Sequence, residues 1–270
     1  MLGRLFRQVR QRRDAAAVAR RAIPDDLWKR TLARHPFLQR REAVDAAELR
    51  RLTSLFLDRK EFSAAGGLRL SDAMVVTIAA QAVLPVLKLG LSHYDGFVGI
   101  VVHPGQVVAR REVTDEGGLV HAYDEVLAGE AMEGGPVMLS WHDVRLSAPM
   151  AAQSYNVVIH EFAHVLDMAD GVADGVPLLP PHITRAEWVA TLGVEFEAFV
   201  ARVNLLSDDA PQPALDPYGA EAPEEFFAVA SEAFFVNACA LKAEHLALYE
   251  LFNRLYGQDP TVDVPPARRR

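Results

Sequence analysis

Asn156-Val157-Val158-Ile159-His160-Glu161-Phe162-Ala163-His164-Val165-Leu166-Asp167-Met168 places two histidines four residues apart in a run otherwise almost free of charge. Its apolar spacing predicts a helix over 151–168, stopped by Asp-Gly and Asp-Gly-Val-Pro within residues 170–177. On a helix, residues four apart stand one turn above each other with Cβ atoms roughly 5 to 6 Å apart. Two imidazoles at that spacing can meet one ion at about 2.0 to 2.1 Å each. Glu161 lies beside the pair, where it can take a proton from a metal-activated water rather than bind the metal. With nine His and eighteen Glu in 270 residues, a chance match is expected on the order of 0.02 times, so the motif is informative. The uncharged neighbours Val157, Val158, Ile159, Phe162, Ala163, Val165 and Leu166 suit a helix buried beside a cleft.

A catalytic zinc wants three protein ligands and an open position, so a third must come from elsewhere. No His follows at the spacing of a three-histidine site, and neither His182 nor His245 has a partner pattern around it. The segment Pro223-Glu224-Glu225-Phe226-Phe227-Ala228-Val229-Ala230-Ser231-Glu232-Ala233-Phe234-Phe235 is apolar nearly all round, which implies a buried helix. Carboxylates on such a helix need a cation or hydrogen-bond donors. Glu225 and Glu232, seven apart, share one face, while Glu224 is displaced toward the solvated helix start. One of Glu225 and Glu232 is therefore the expected third ligand and the other its hydrogen-bonding support.

Outward from these helices, apolar residues at helix period over 25–34, 43–57 and 71–84 make the amino-terminal third helical, with Ser71 and Asp72 as caps. Short Val-, Ile- and Phe-rich runs at 97–102 and 136–141, bounded by Gly, Pro and Asp, predict strands and a small sheet. Thr184 with Glu187 forms a capping box for a helix that carries Trp188, Leu192, Phe196 and Phe199 on one side. A Pro-rich loop over 204–222, a helix from Pro223 to about Ala238, and another from Ala243 to Tyr256 closed by Gly257 complete the order. Helices outnumber strands, giving an α+β class. No break in composition divides the chain, so it reads as a single domain over 1–270 with a basic helical region at about 1–60.

Composition sets the wider bounds. Half the residues are hydrophobic and 24% charged, as in a globular chain. The net charge of -8 hides an asymmetry, since residues 1–60 carry +9 and the remainder -17. The opening segment scatters Arg through Leu2, Leu5, Phe6 and Val9, unlike a secretory signal. It reads as an Arg-rich solvated helix resting on the acidic remainder, with contact to anionic lipid, nucleic acid or an acidic protein as the alternative. An acidic chain without a recognised nucleic-acid fold argues against nucleic acid as a partner. The longest apolar stretch, Met74 to Leu87, is too short to span a bilayer. The single Cys239 excludes a disulfide framework and multi-Cys metal sites, which suits the cytoplasm, and is read as a small core residue. A Gly-x-Ser-x-Gly elbow, a phosphate-binding Gly-Lys loop and a dinucleotide fingerprint are all missing.

Residues 156–168, Tyr218-Gly219-Ala220, the 223–232 segment, Gly-Pro-Val-Met-Leu-Ser-Trp at 135–141 and the run from Ile78 to Leu87 together resemble one family. It is that of the zinc-dependent peptidases typified by Mlc titration factor A, related in catalytic core to anthrax lethal factor. The resemblance implies a predominantly helical, zincin-like metallopeptidase fold of gluzincin type, with a small β-sheet beside the active-site helix. It assigns His160, His164 and Glu225 as Zn2+ ligands, Glu161 as general base and Tyr218 as a donor on the oxyanion side. A phenol can donate to charge developing on an attacked carbonyl oxygen, an effect often worth about 10² to 10³ in rate. It further implies a peptide substrate, weak aminopeptidase activity, and a role in glucose uptake through an Mlc-type transcriptional repressor. A non-catalytic regulator that sequesters the repressor is the competing function. Asn156 and Asp167, one turn outside the histidines, are expected to orient an imidazole or the water, or else to cap the helix. The 136–141 strand is expected beside the cleft, where it pairs with an extended peptide or serves as plain sheet core.

Overall fold

The computed structural model describes residues 2–114, 120–207 and 213–262, without the side chains of 2–7, 111–114, 120–123 and 125. Four helices open the chain, α1 (Leu2–Arg20), α2 (Asp25–Arg34), α3 (Pro36–Gln39) and α4 (Ala43–Arg59), followed by β1 (Glu61–Ala64) and α5 (Asp72–Ala82). Strands β2 (Gly99–His103), β3 (Val107–Thr114), β4 (Val120–Leu127), β5 (Gly129–Ala131) and β6 (Val137–Ser140) come next, then α6 (Trp141–Leu146) and α7 (Val157–Asp167). The remainder is α8 (Arg185–Val203), α9 (Pro223–Val236), α10 (Ala238–Glu244) and α11 (Leu246–Tyr256). This is an α+β, mostly helical fold with a small mixed sheet.

Two sheets form. One has the order β1-β2-β6-β5, parallel except for the antiparallel β5, and the other is the β3-β4 hairpin. In the first, Ile100 pairs with Val137 and Val102 with Leu139, and all four are buried. The strand at 136–141 is therefore interior, with both backbone edges taken by β2 and β5. That corrects the expectation that it could pair with a peptide, because no donor or acceptor row is left open. The edge beside α7 belongs to β5.

The central helices are α7 and α9. From α7, Val158, Ile159, Phe162, Ala163 and Leu166 point into the core, and Phe162 packs edge-on against Phe56, Tyr94 and Phe97. Every residue of α9 from Phe226 to Val236 is buried, as its apolar surround requires. Phe227 and Phe234 meet Phe252 of α11, which stacks on Trp188 of α8 at 5.7 Å.

Four readings need correction. The long 151–168 helix begins only at Val157, because Ser154 takes a left-handed φ of 64° and Asn156 then caps α7 by accepting from Ile159 N at 3.0 Å. The single 243–256 helix is two helices broken at His245, and Cys239 is exposed rather than in the core. Finally, among the described residues α1 packs on α4 within the basic region, through buried Ala17 and the pairs Arg20–Asp58 at 3.0 Å and Arg59–Asp14 at 3.2 Å, where the sequence predicts the acidic remainder. The Leu2, Leu5 and Phe6 face lies outside the described side chains, and Val9 is exposed. Of the 204–222 loop, 208–212 lie outside the described residues. Among those described, no helix is long and apolar enough to cross a membrane.

Candidate metal centre

His160 and His164 project from one side of α7 with ring centroids 4.8 Å apart and Nε2 atoms 3.1 Å apart. The first turn of α9 brings Glu225 to them, its Oε2 lying 3.1 Å from His160 Nε2 and 3.4 Å from His164 Nε2. Among the described residues these three form the one group of at least three His, Cys, Asp or Glu able to hold a metal ion. Donor atoms at about 2.0 to 2.1 Å from a tetrahedral ion stand about 3.3 to 3.4 Å from one another. The three separations fall close to that edge length.

Glu232, two turns along α9, is 3% exposed and sets the orientation of the first histidine. Its Oε1 accepts from His160 Nδ1 at 2.8 Å and its Oε2 accepts from the backbone N–H of Asn156. With Nδ1 donating, His160 turns a bare Nε2 toward the carboxylate of Glu225, whose buried Oε2 has no well-directed hydrogen bond. Such a cluster of acceptors calls for positive charge. Burial alone would lower the pKa of His160, but the neighbouring carboxylates of Glu225 and Glu232 override it and hold the ring well above the ordinary value. Burial would raise Glu225, yet the two histidines hold it well below the usual carboxylate range. A divalent cation satisfies the same demand with both rings neutral, so the residues present fit one.

Glu161 lines the same cleft as His160 and is 5% exposed. Burial pushes its carboxyl up to about 6, against the opposing pull of His160 and His164. Gly129 of β5 lies directly against it. A Cβ there would overlap Glu161 Oε1 and stand 2.5 Å from Cγ and Cδ, so only glycine lets strand and carboxylate approach this closely.

Tyr218 sits in a 3-10 turn, Pro217–Ala220, capped by Asp216, which accepts from Tyr218 N at 3.0 Å. Gly219 seats the turn on α9, where a Cβ would be 3.2 Å from Val229 Cβ. The ring is 42% exposed, with its centroid 6.1 Å from that of His160. A cleft of about 370 Å³ collects Gly129, Tyr155, His160, Glu161 and Tyr218 along its walls. Tyr155 also faces it, but its hydroxyl donates to Asp143 Oδ1 at 3.3 Å, and burial together with that charge raises its pKa.

Other sequence candidates fall elsewhere. Asn156 makes no hydrogen bond to an imidazole, since its Oδ1 caps α7 and its Nδ2 donates to Gln81 Oε1 at 2.8 Å. Asp167 is buried and accepts from Gly175 N at 2.9 Å, with no hydrogen bond to either ring among the described residues. His182 bonds the carbonyl of Arg254, and His245 bonds Glu195 at 2.7 Å. Gly129, Tyr155 and Gln81 were not singled out in the sequence, because nothing local marks a residue whose role is contact with a distant helix.

A helix with two histidines one turn apart, a carboxylate delivered by a second helix and a buried glutamate between cleft and sheet define a metallopeptidase-type architecture. The family model described as glucose-regulated metallo-peptidase M90 matches residues 6–257, and the chain belongs to that family. Relatives described as Mlc titration factor A include one from Pectobacterium atrosepticum, 37% identical over 79% of each chain. That of Salmonella arizonae is 35% identical over 88% of this chain and 92% of its own. A third, from Edwardsiella ictaluri, is 40% identical over 72% of each.

Proposed function

We propose that this chain is a zinc peptidase whose ion is held by His160, His164 and Glu225, with Glu161 as general base and Tyr218 as oxyanion donor. The observation that carries it is the convergence of two Nε2 atoms and one carboxylate oxygen within 3.4 Å, with His160 fixed from behind by Glu232. When bound, zinc supplies Lewis-acid polarisation and lowers the pKa of a water to about 7. Glu161 takes the proton of the attacking water and returns it to the leaving amine. Tyr218, beside His160 at the cleft wall, donates to the negative charge growing on the carbonyl oxygen. An extended peptide lying along β5, the terminal strand of its sheet among the described residues, would bring its carbonyl past Glu161.

Metal analysis of the purified protein with Glu161→Gln tests this. One zinc per chain in both proteins, with peptide hydrolysis lost only in the variant, supports the reading. Absence of stoichiometric zinc together with unchanged hydrolysis sinks it. The finer assignment, an aminopeptidase, expects cleavage of an aminoacyl nitroanilide and none of its N-acetylated form.

The relatives' printed name favours a second role, binding of Mlc, which the family resemblance makes a transcriptional repressor with an influence on glucose uptake. Retention of Glu161→Gln on immobilised repressor would make that role separate from catalysis. A cytoplasmic location agrees with a single cysteine among 270 residues.

A further inference from the structure

Away from the metal centre, the end of α2 meets α5 and α6 around a cavity of about 390 Å³, within the roughly 300 to 1,000 Å³ of small-molecule sites. Its walls share no residue with the cleft at Glu161. Its lining is apolar at Trp141, Val144 and Ala148 and polar at Arg34, His35, Thr77 and Arg145. Arg34 and Arg145 are exposed and make no ion pair or hydrogen bond among the described residues. Among the described residues, no acidic side chain lines the cavity. The nearest along α6, Asp143, is not part of the lining: its Oδ1 accepts from Gln106 at 3.1 Å and from Tyr155, and its buried Oδ2 has no hydrogen-bond partner.

His35 is the independent sign that something polar belongs here. It is 3% exposed, yet its Nδ1 has no hydrogen-bond partner, although buried polar atoms normally have one. Burial and the neighbouring Arg34 hold the ring neutral, with a pKa of about 4. An anion in the cavity would reverse that cost and give Arg34, Arg145 and His35 a shared acceptor.

We propose that this cavity binds a small organic phosphomonoester, its phosphoryl group between Arg34 and Arg145 and its organic part against Trp141. A phosphomonoester carries about -1.5 to -2 at neutral pH and presents three acceptor oxygens, matching two guanidinium forks and an imidazole donor. The apolar wall and the volume leave room for more than the bare ion. The site stands independently of the peptidase reading. It does share scaffolding with the metal centre: Gln81, one turn beyond Thr77 on α5, donates to Thr77 O at 3.1 Å and accepts from Asn156, the cap of α7.

The test follows the indole N–H resonances of the three tryptophans in the full chain as purified, with Trp141 assigned by Trp141→Phe. Titration with phenyl phosphate is expected to shift the Trp141 signal. Arg34→Gln and Arg145→Gln are each expected to weaken binding about tenfold, because each removes a charge-assisted contact. Both side chains are exposed, so the variants fold, and unchanged Trp28 and Trp188 signals verify it. Phenylacetate, a monoanion, is expected to bind several-fold more weakly and phenol not to register. A silent Trp141 signal, equal binding by the arginine variants, or phenol shifting the signal as far as phenyl phosphate would overturn the proposal. Equal binding of phenylacetate would overturn the phosphoryl assignment.

Discussion

Glu232→Gln isolates the support behind the candidate metal centre from the centre itself. In the native protein Glu232 Oε1 accepts from His160 Nδ1 at 2.8 Å, and Oε2 accepts from Asn156 N, so both oxygens face donors. A glutamine in the same place has one oxygen and one amide group. Either orientation sets an N–H against an N–H, toward His160 or toward the cap of α7. Loss of the carboxylate also makes the imidazole a poorer donor to the ion, because the negative charge behind Nδ1 strengthens Nε2. Removing such a partner costs about 10- to 100-fold in metal affinity, or about 1.4 to 2.7 kcal/mol. The size and shape of the side chain are unchanged, so the fold should persist. Competition for zinc against a chromophoric chelator measures the effect, with Glu224→Gln, one residue before Glu225 on the same helix, as control. A Glu232→Gln affinity within twofold of the native protein, or an equal loss in Glu224→Gln, would refute the reasoning.

Gly129→Ala should leave zinc binding intact and lower kcat about 100-fold, because the new methyl displaces Glu161 by the order of an ångström; retained kcat would show that the carboxylate is not held by the strand. Trp188→Ala should cost about 3 to 5 kcal/mol in urea unfolding, since the ring is fully buried on Phe252 and Phe227 and its N–H donates to Gly175 O at 2.9 Å. A cost below 1 kcal/mol would contradict that packing. His35 gives an acid limb. Its folded pKa of about 4 lies below the unfolded value of about 6.5. Its contribution is therefore intact above pH 6.5 and falls away as pH drops toward 4, by up to about 3 kcal/mol. Urea titrations across that window in phosphate-free buffer should show a shallower loss for His35→Gln, and equal slopes would exclude His35 as the cause.

The helices were legible where the sequence supplies both a period and a stop. Residues 25–34 were read to their observed limits, Ser71 caps α5 by accepting from Met74 N, and Thr184 caps α8 by accepting from Glu187 N. The strands were legible where their apolar runs are buried, throughout β6 and at alternate residues of β2. Strand β1 shows no alternating apolar pattern and is nearly all exposed, and β5 is Gly-Glu-Ala, which has little intrinsic strand preference. Both are strands because β2 and β6 offer backbone partners, a tertiary cause invisible in a local window. The β3-β4 hairpin was missed for a related reason, as Val108 and Val126 are exposed rather than buried in a core that would mark them.

At the metal centre the limit of local reading is sharper. The histidine pair is a property of one helix, so spacing alone puts both rings on one side. The choice between Glu225 and Glu232 is not, because residues seven apart share a face and either could point at the pair. What separates them is where α9 crosses α7. At the first turn of α9 the carboxylate reaches both Nε2 atoms, and two turns later it reaches Nδ1 and the start of α7. The second carboxylate thereby fixes which nitrogen of His160 carries the proton, which leaves Nε2 as the one able to accept a cation. The same helix thus supplies an acid for the front of an imidazole and another for its back, and only the crossing of the two helices tells them apart.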